Sequence, residues 1–204
     1  MYIPKFNLTT DRDEIVSFMQ RFSFATIVSI KDSVPVATHL PFLVTVRDDK
    51  VVLTSHFAKA NDQWNDLKDG KTLVIFSEPH AYISASNYDK DLNVPTWNYI
   101  SIHAYGNATL ITEQSAAVKV IDLTISNFEE SYGKKWDKFP EEYKSKMLNG
   151  IVAFEIEVSD LQGKKKLSQN RSQTEQANII DTLSKSEDPN ENRIAEYMGE
   201  SEHK

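Results

Sequence analysis

The sequence predicts an α+β protein built on an antiparallel sheet with helices at its periphery. Three observations predict it. Residues 76–110 read as two strand-like runs, rich in β-branched and aromatic side chains, facing each other across a polar loop at 87–93. Between residues 24 and 54, short β-branched runs alternate with polar turns, the pattern of a meander. Apolar residues at helical spacing fall outside these runs, in 10–22 and again after Thr112.

The 76–110 hairpin holds the densest aromatic cluster in the chain: Tyr82, Tyr88, Trp97, Tyr99 and Tyr105, with His80 and His103. Pro95 stands at the entry to its second strand, where no ladder N–H is needed, and sets the approach of Thr96-Trp97-Asn98-Tyr99. Tyr, Trp and Asn combine a flat apolar face with a hydrogen-bonding edge. That suits a planar polar ligand or a subunit interface; a sheet core whose Tyr hydroxyls reach water is the other reading.

From the start of the chain, Thr10 with Asp13 resembles a capping box, and Ile15, Phe18, Met19 and Phe22 mark one face of a short helix. Strands follow at 24–30 and 34–46, separated by Lys31-Asp32-Ser33, and Asp48-Asp49 turns the chain into Val51-Val52-Leu53-Thr54. Pro35 and Pro41 each remove a ladder donor, so the second run is expected at a sheet edge or on a bulge. A helix is expected through Ala58, Trp64 and Leu67 to a stop at Gly70. The junction brings Thr54, Ser55, His56, Lys59 and Asn61 to its N-terminus, where free N–H groups favour an anion such as phosphate. A capped helix with exposed polar residues is the alternative.

After the hairpin, Thr112 is expected to cap a helix carrying Ala117, Val118, Ile121, Ile125 and Phe128 on one face and ending at Gly133. A second helix is expected over 140–148, and 151–158 alternates apolar and acidic residues as a strand with one wet face. In 161–174, Lys164, Lys165, Lys166 and Arg171 occur with no acidic residue, beside the neutral donors Ser168, Gln169 and Asn170. A charge run of this kind is ordinarily a solvated face; the adjoining donors make an anion site the competing reading. Residues 176–204 read as a weakly amphipathic helical tail with a frayed end.

Composition excludes several functions. A chain of 204 residues with 40% hydrophobic and 26% charged residues is long enough for one domain and its core. No apolar run approaches the roughly 20 residues of a membrane helix, and the first residues have no secretory pattern, so a cytoplasmic location without membrane contact is expected. There is no cysteine for a disulfide or thiolate site, no GxGxxG, no GxxxxGK[ST], no HExxH and no GxSxG. No structural metal is expected, and no residue stands out as a catalytic acid or base. A net charge of −7 repels nucleic acid phosphates, so any effect on DNA is expected to be indirect.

Five ordered blocks then carry a resemblance: Met1-Tyr2-Ile3-Pro4; 56–64, HFAKANDQW; Ala81-Tyr82-Ile83-Ser84; Val94-Pro95-Thr96-Trp97-Asn98-Tyr99; and 163–171, GKKKLSQNR. Together they resemble the PaiB family, the FMN-binding negative transcriptional regulators. Lys59 stands where the family has Arg, Asp62 where it has Pro, and Lys165 where it has Trp. Glu78 precedes Pro79 where the family has Gly-Pro, and Ala85-Ser86-Asn87-Tyr88 replaces Pro-Ser-Trp-Tyr. The resemblance implies a split β-barrel over 1–163, with the basic segment and helical tail of 164–204 packed on it or on the dimer. It implies a homodimer binding FMN between subunits. Ser55, His56, Lys59 and Asn61 would then meet the phosphate and Thr38-His39-Leu40 would run along the ring. Trp97 and Asn98 would meet the ring face and edge, and Lys166, Ser168, Gln169 and Arg171 the phosphate or the pyrimidine end. It implies a flavin-tuned regulator; a small flavin-dependent oxidoreductase and a non-flavin ligand-binding dimer are the alternatives.

Overall fold

The computed structural model describes residues 1–68 and 70–201. Eight strands form one sheet: β1 (Leu8–Thr9), β2 (Phe24–Lys31), β3 (Val34–Pro41), β4 (Leu43–Arg47), β5 (Lys50–Ala58), β6 (Lys71–Ile83), β7 (Thr96–Leu110) and β8 (Ile151–Lys166). The hydrogen-bonded order is β3-β2-β6-β7-β8-β5-β4, with β1 added to β8, and the pairs with a defined register are antiparallel. The helices are α1 (Arg12–Arg21), α2 (Gln114–Phe128), α3 (Glu130–Trp136), α4 (Glu141–Leu148), α5 (Gln173–Ser184) and α6 (Pro189–Ser201). Hydrogen-bonded order along the sheet runs open from β3 to β4, so the sheet is not closed by strand pairing. β3, with Pro35 and Pro41, is one of the two end strands, as the missing ladder donors require.

The chain divides into two compact units, and β6, β7 and β8 contribute residues to both. The larger consists of Arg12–Phe76 and His103–Leu161. Its core is aromatic. Phe42 lies edge-on to Phe76 (6.0 Å between ring centroids) and to Phe154 (6.2 Å), and Phe154 stacks on Phe57 at 5.1 Å; all four are buried. β2 supplies Ala25 and Ile27 by simple alternation, and α1 adds Ile15, Val16, Phe18 and Met19 at helical spacing. The β2–β3 and β4–β5 hairpins turn on two residues each, Asp32-Ser33 (φ 50° and 64°) and Asp48-Asp49 (φ 48° and 58°). Two successive positive φ angles define the turn whose twist matches the flanking strands, and Asp tolerates that region better than most residues.

Several expectations about this unit are corrected. The helix foreseen after β5 is a 3-10 run over Asp62–Lys68 with an acidic residue in its first turn, so its dipole offers an anion little. Glu113, not Thr112, precedes α2, with no side-chain cap. The helix expected to end at Gly133 stops at Phe128, where Glu129 leaves helical geometry, and a separate α3 carries the chain through Gly133 to Trp136, which is buried and donates to Asp122 Oδ1 at 2.8 Å.

The smaller unit consists of Met1–Asp11, Ser77–Ile102 and the chain from Gln162 onward. β8 continues to Lys166, and β1 pairs with it in the register Leu8↔Lys164, so much of the basic run is strand. The tail is two helices. Ile179 and Leu183 of α5 and Ile194, Ala195 and Met198 of α6 are buried, and the expected fraying concerns residues 202–204, outside the described ones. α5 starts with a reciprocal capping box between Ser172 and Glu175. The other oxygen of Glu175, Oε1, accepts from the backbone N–H of Asp89 (3.2 Å), while Thr182 donates to Asn87 Oδ1 (2.8 Å) and Asn178 Nδ2 to Asn87 O (3.4 Å), tying the 84–95 loop to α5.

Gly106 lets β7 and β8 approach closely: a Cβ there would lie 2.2 Å from the Glu157 carbonyl oxygen. Gly106→Ala is expected to lower stability by about 1–3 kcal/mol, because backbone has to move to admit the methyl group. Thermal or denaturant unfolding measures it, and an unchanged midpoint contradicts the packing described.

Candidate functional site

The residues singled out from the sequence fall into two sets, one in each unit, and each is built differently. In the larger unit, β3 carries Thr38, His39 and Leu40, β5 carries Ser55 and His56, and the connection leaving β5 carries Lys59 and Asn61. Ser55 is buried and its hydroxyl donates to the Pro41 carbonyl at 2.6 Å, so it holds β5 to the end of β3. His56 is half-buried, and that burial holds its pKa below 6.5, leaving a neutral imidazole at physiological pH. His39 is exposed and stacks on Phe24 at 6.4 Å; Leu40 is half-buried opposite Ala25.

Lys59 is exposed, and among the described residues its ammonium has no hydrogen-bond or ion-pair partner. Its backbone is fixed on both sides: the N–H donates to Gly150 O (2.8 Å) and the carbonyl accepts from Trp64 Nε1 (3.2 Å). An unpaired cation on an immobilised backbone can meet an anion without first breaking a protein contact.

Asn61 and Thr38 meet directly, and both are held by Gln63, which was not among the expected site residues. Asn61 Nδ2 donates to Thr38 Oγ1 at 2.9 Å, and Thr38 Oγ1 donates to Gln63 Oε1 at 2.5 Å. Gln63 is 3% exposed; its Nε2 donates to the carbonyls of Ile27 (3.3 Å) and Val36 (3.0 Å). No local pattern announces Gln63, since its partners lie 25 to 36 positions away in sequence.

The set in the smaller unit is mostly engaged within the fold. Trp97 is 52% exposed, and the rings of His80 and Tyr82 pack against it in T-shaped contacts at 5.8 Å each, so a half-exposed indole stands among aromatics. Asn98 points the other way and is fully buried: Nδ2 donates to Met198 Sδ (3.5 Å) and Oδ1 accepts from Ser168 Oγ (3.0 Å). Ser168 is buried with φ 61°. Gln169 closes on its own turn, accepting from Leu167 N (2.8 Å) and donating to Lys165 O (2.5 Å).

Lys166 Nζ donates to Trp97 O (2.7 Å) and to Thr96 Oγ1, holding the start of β7. Burial lowers its pKa, as does the neighbouring Lys164 charge, against an opposing effect of Tyr99. The Arg171 guanidinium lies 3.7 Å from the Tyr88 ring centroid, and its Nη1 donates to Asn93 Oδ1 at 2.9 Å. Lys164, named from the sequence only as part of the basic run, and Glu175, not named at all, also work here. Lys164, 8% exposed, sits over Tyr99 (5.0 Å) and Tyr2 (5.8 Å) and donates to Tyr2 O at 3.2 Å. Glu175 is buried, which opposes its charge, but the N–H groups of Ser172 and Asp89 and the Arg171 charge lower its pKa overall. Ser172 followed three residues later by Glu175 was a readable capping signal.

Residues 1–160 match the family model described as "Putative FMN-binding domain". Over 201 residues the chain is 40% identical to the protease synthase and sporulation protein PAI 2 of Bacillus subtilis (strain 168), an alignment covering 97% of this chain and 96% of that protein. In fold it is similar to the flavocytochrome Anf3 from Azotobacter vinelandii, with a TM-score of 0.63 at 14% identity over 80% of this chain and 72% of that one. It is similar also to the FAD and heme binding protein from Mycobacterium smegmatis, with a TM-score of 0.62 at 16% identity over 78% and 73%. At such identities the likeness is one of fold, that of the FMN-binding split barrels.

The burial of His56 has a consequence for stability. The folded state disfavours the imidazolium, so the contribution of the neutral form is complete above the unfolded pKa and is lost as pH falls below 6.5. His103, half-buried and likewise shifted down by burial, acts in the same sense. Stability is therefore expected to fall on acidification from pH 6.5, less steeply in His56→Gln; chemical denaturation across that range measures it, and a parallel decline in both proteins contradicts the assignment.

Proposed function

This chain belongs to the PaiB-type family of FMN-binding domains, and on that premise we propose that it is a homodimeric FMN-binding regulator. The observation that carries the reading is the 40% identity, over nearly the whole of both chains, to a protein named for protease synthesis and sporulation. The residues present fit FMN in chemistry. Lys59 offers an unpaired ammonium, matched to a phosphate dianion, and Trp97 offers an aromatic face, matched to the isoalloxazine plane.

In the proposed complex Lys59 and Asn61 meet the phosphate, Thr38 acts only through its hydrogen bond to Asn61, and the partner subunit supplies the aromatic cover. When bound, FMN supplies the redox chemistry, and its oxidation state is the signal that the dimer reads. Ser55, Asn98, Ser168 and Gln169 act on the ligand through the geometry they enforce, since their side chains are engaged by the protein. The dimer buries part of an apolar surface that a single chain exposes: Tyr2 is 82% exposed, and Leu92, Val94, Tyr82 and Trp97 are exposed as well. With a net charge of −7, regulation through a protein partner fits better than direct contact with DNA.

Lys59→Ala is expected to weaken FMN about tenfold or more, from loss of a charge-assisted hydrogen bond, and to leave the weaker binding of riboflavin unchanged. Flavin fluorescence titration measures both ligands, and equal losses would make Lys59 a structural residue. For the assembly, light scattering at micromolar concentration is expected to give a dimer. Trp97→Ala is expected to shift it towards monomer and to weaken FMN, a hot-spot aromatic being worth about 2 kcal/mol or more; a wild-type monomer sinks the dimer.

A further inference from the structure

The geometry points to Gln63 as a positioning residue: it polarises the Gln63–Thr38–Asn61 chain so that the group offered to a ligand is an N–H donor of Asn61. The polarity follows from anchors that cannot be reversed. Ile27 O and Val36 O are carbonyls and only accept, so the Gln63 atom between them, at 3.3 and 3.0 Å, is its amide nitrogen. Gln63 Oε1 is then an acceptor, and the Thr38 hydroxyl 2.5 Å away has to give it its one proton. Thr38 Oγ1 can therefore only accept from Asn61, which turns the Asn61 nitrogen towards it at 2.9 Å.

A second anchor agrees independently. The backbone N–H of Gln63 can only donate, and it reaches Asn61 Oδ1 at 3.1 Å. Both ends of the Asn61 amide are thus assigned, one Nδ2 hydrogen is used on Thr38, and the other has no acceptor among the described contacts. Asn61 is half-buried and has a second Nδ2 hydrogen to offer, whereas the Thr38 hydroxyl has already given its one proton to Gln63. Two residues earlier in the chain, Lys59 adds an exposed cation. A fixed amide donor two residues from an exposed lysine suits an oxyanion.

The assignment to FMN phosphate rests on the function proposed above, but the donor is testable without flavin. The Asn61 side-chain amide resonances, followed by 15N NMR, are titrated with inorganic phosphate and separately with riboflavin. Wild type and Thr38→Ser, which keeps the hydroxyl, are expected to respond to phosphate alike; Thr38→Val is expected to bind it about five- to tenfold more weakly, the worth of one ordered hydrogen bond. Riboflavin should leave these resonances in place. An Asn61 amide indifferent to phosphate, or Thr38→Val binding phosphate as wild type does, overturns the inference. Should Thr38→Val not fold, Asn61→Asp replaces the half-buried donor by an acceptor, and retained phosphate binding overturns the inference equally. Wild-type protein that fails to bind FMN while phosphate still moves Asn61 removes the flavin reading and supports the positioned donor.

Discussion

A sheet that buries one face must sort its side chains in period two, and most of this structure follows from that sorting on β7. Asn98, Ile100, Ile102, Ala104 and Gly106 are buried, whereas Trp97 is exposed and Tyr99, His103 and Tyr105 are half-buried. A one-residue slip would exchange the two sets and put Trp97 and three further aromatic rings into the core. Gly106 helps to pin the register, since only a residue without Cβ fits against the Glu157 carbonyl. The consequence is a wet face rich in rings, including His80 and Tyr82 around Trp97, that neither solvent nor a plain surface explains. Under the proposed function it is covered by flavin and a second subunit.

Buried polar residues do the locating. Asn98 joins Ser168 to Met198, and Gln63 joins the β2 and β3 backbones to Thr38. Each sits where an unsatisfied amide would cost about 1–3 kcal/mol, so the partners are fixed as firmly as core side chains. The arrangement separates two roles that sequence alone merges. Asn98, Ser168 and Gln169 look like ligand groups because they are polar and adjacent to cations, yet their hydrogen bonds are already made inside the unit. Lys59 and Trp97 remain open.

Local patterns in the sequence carried the strands and turns. Asp32-Ser33 and Asp48-Asp49 turn hairpins, Pro35 and Pro41 lie on an end strand, and Thr96 opens β7 directly after Pro95. The PaiB-type family was legible as well, from blocks spread along the chain. Features decided by distant partners were not. The role of Gln63 lies in side-chain contacts with Thr38 and the β2 and β3 carbonyls, far away in sequence, and the segment after β5 that carries it is a 3-10 run. The basic run hid the end of β8, because its pairing with β1 comes from the opposite end of the chain. The tail looked weakly amphipathic because α5 and α6 bury their apolar residues partly against each other, leaving no strong stripe on either alone.

The central claim is that FMN is held by Lys59 of one subunit and the aromatic face around Trp97 of its partner. Co-expressing differently tagged Lys59→Ala and Trp97→Ala chains and isolating the mixed dimer tests it most directly, by counting FMN bound per dimer. Each homodimer lacks one element at both sites, whereas a mixed dimer holds one site with neither substitution and one with both. The account predicts one high-affinity FMN per mixed dimer with wild-type affinity, against two for wild type and none for either parent. A mixed dimer that binds no more tightly than its parents would contradict a site shared between subunits.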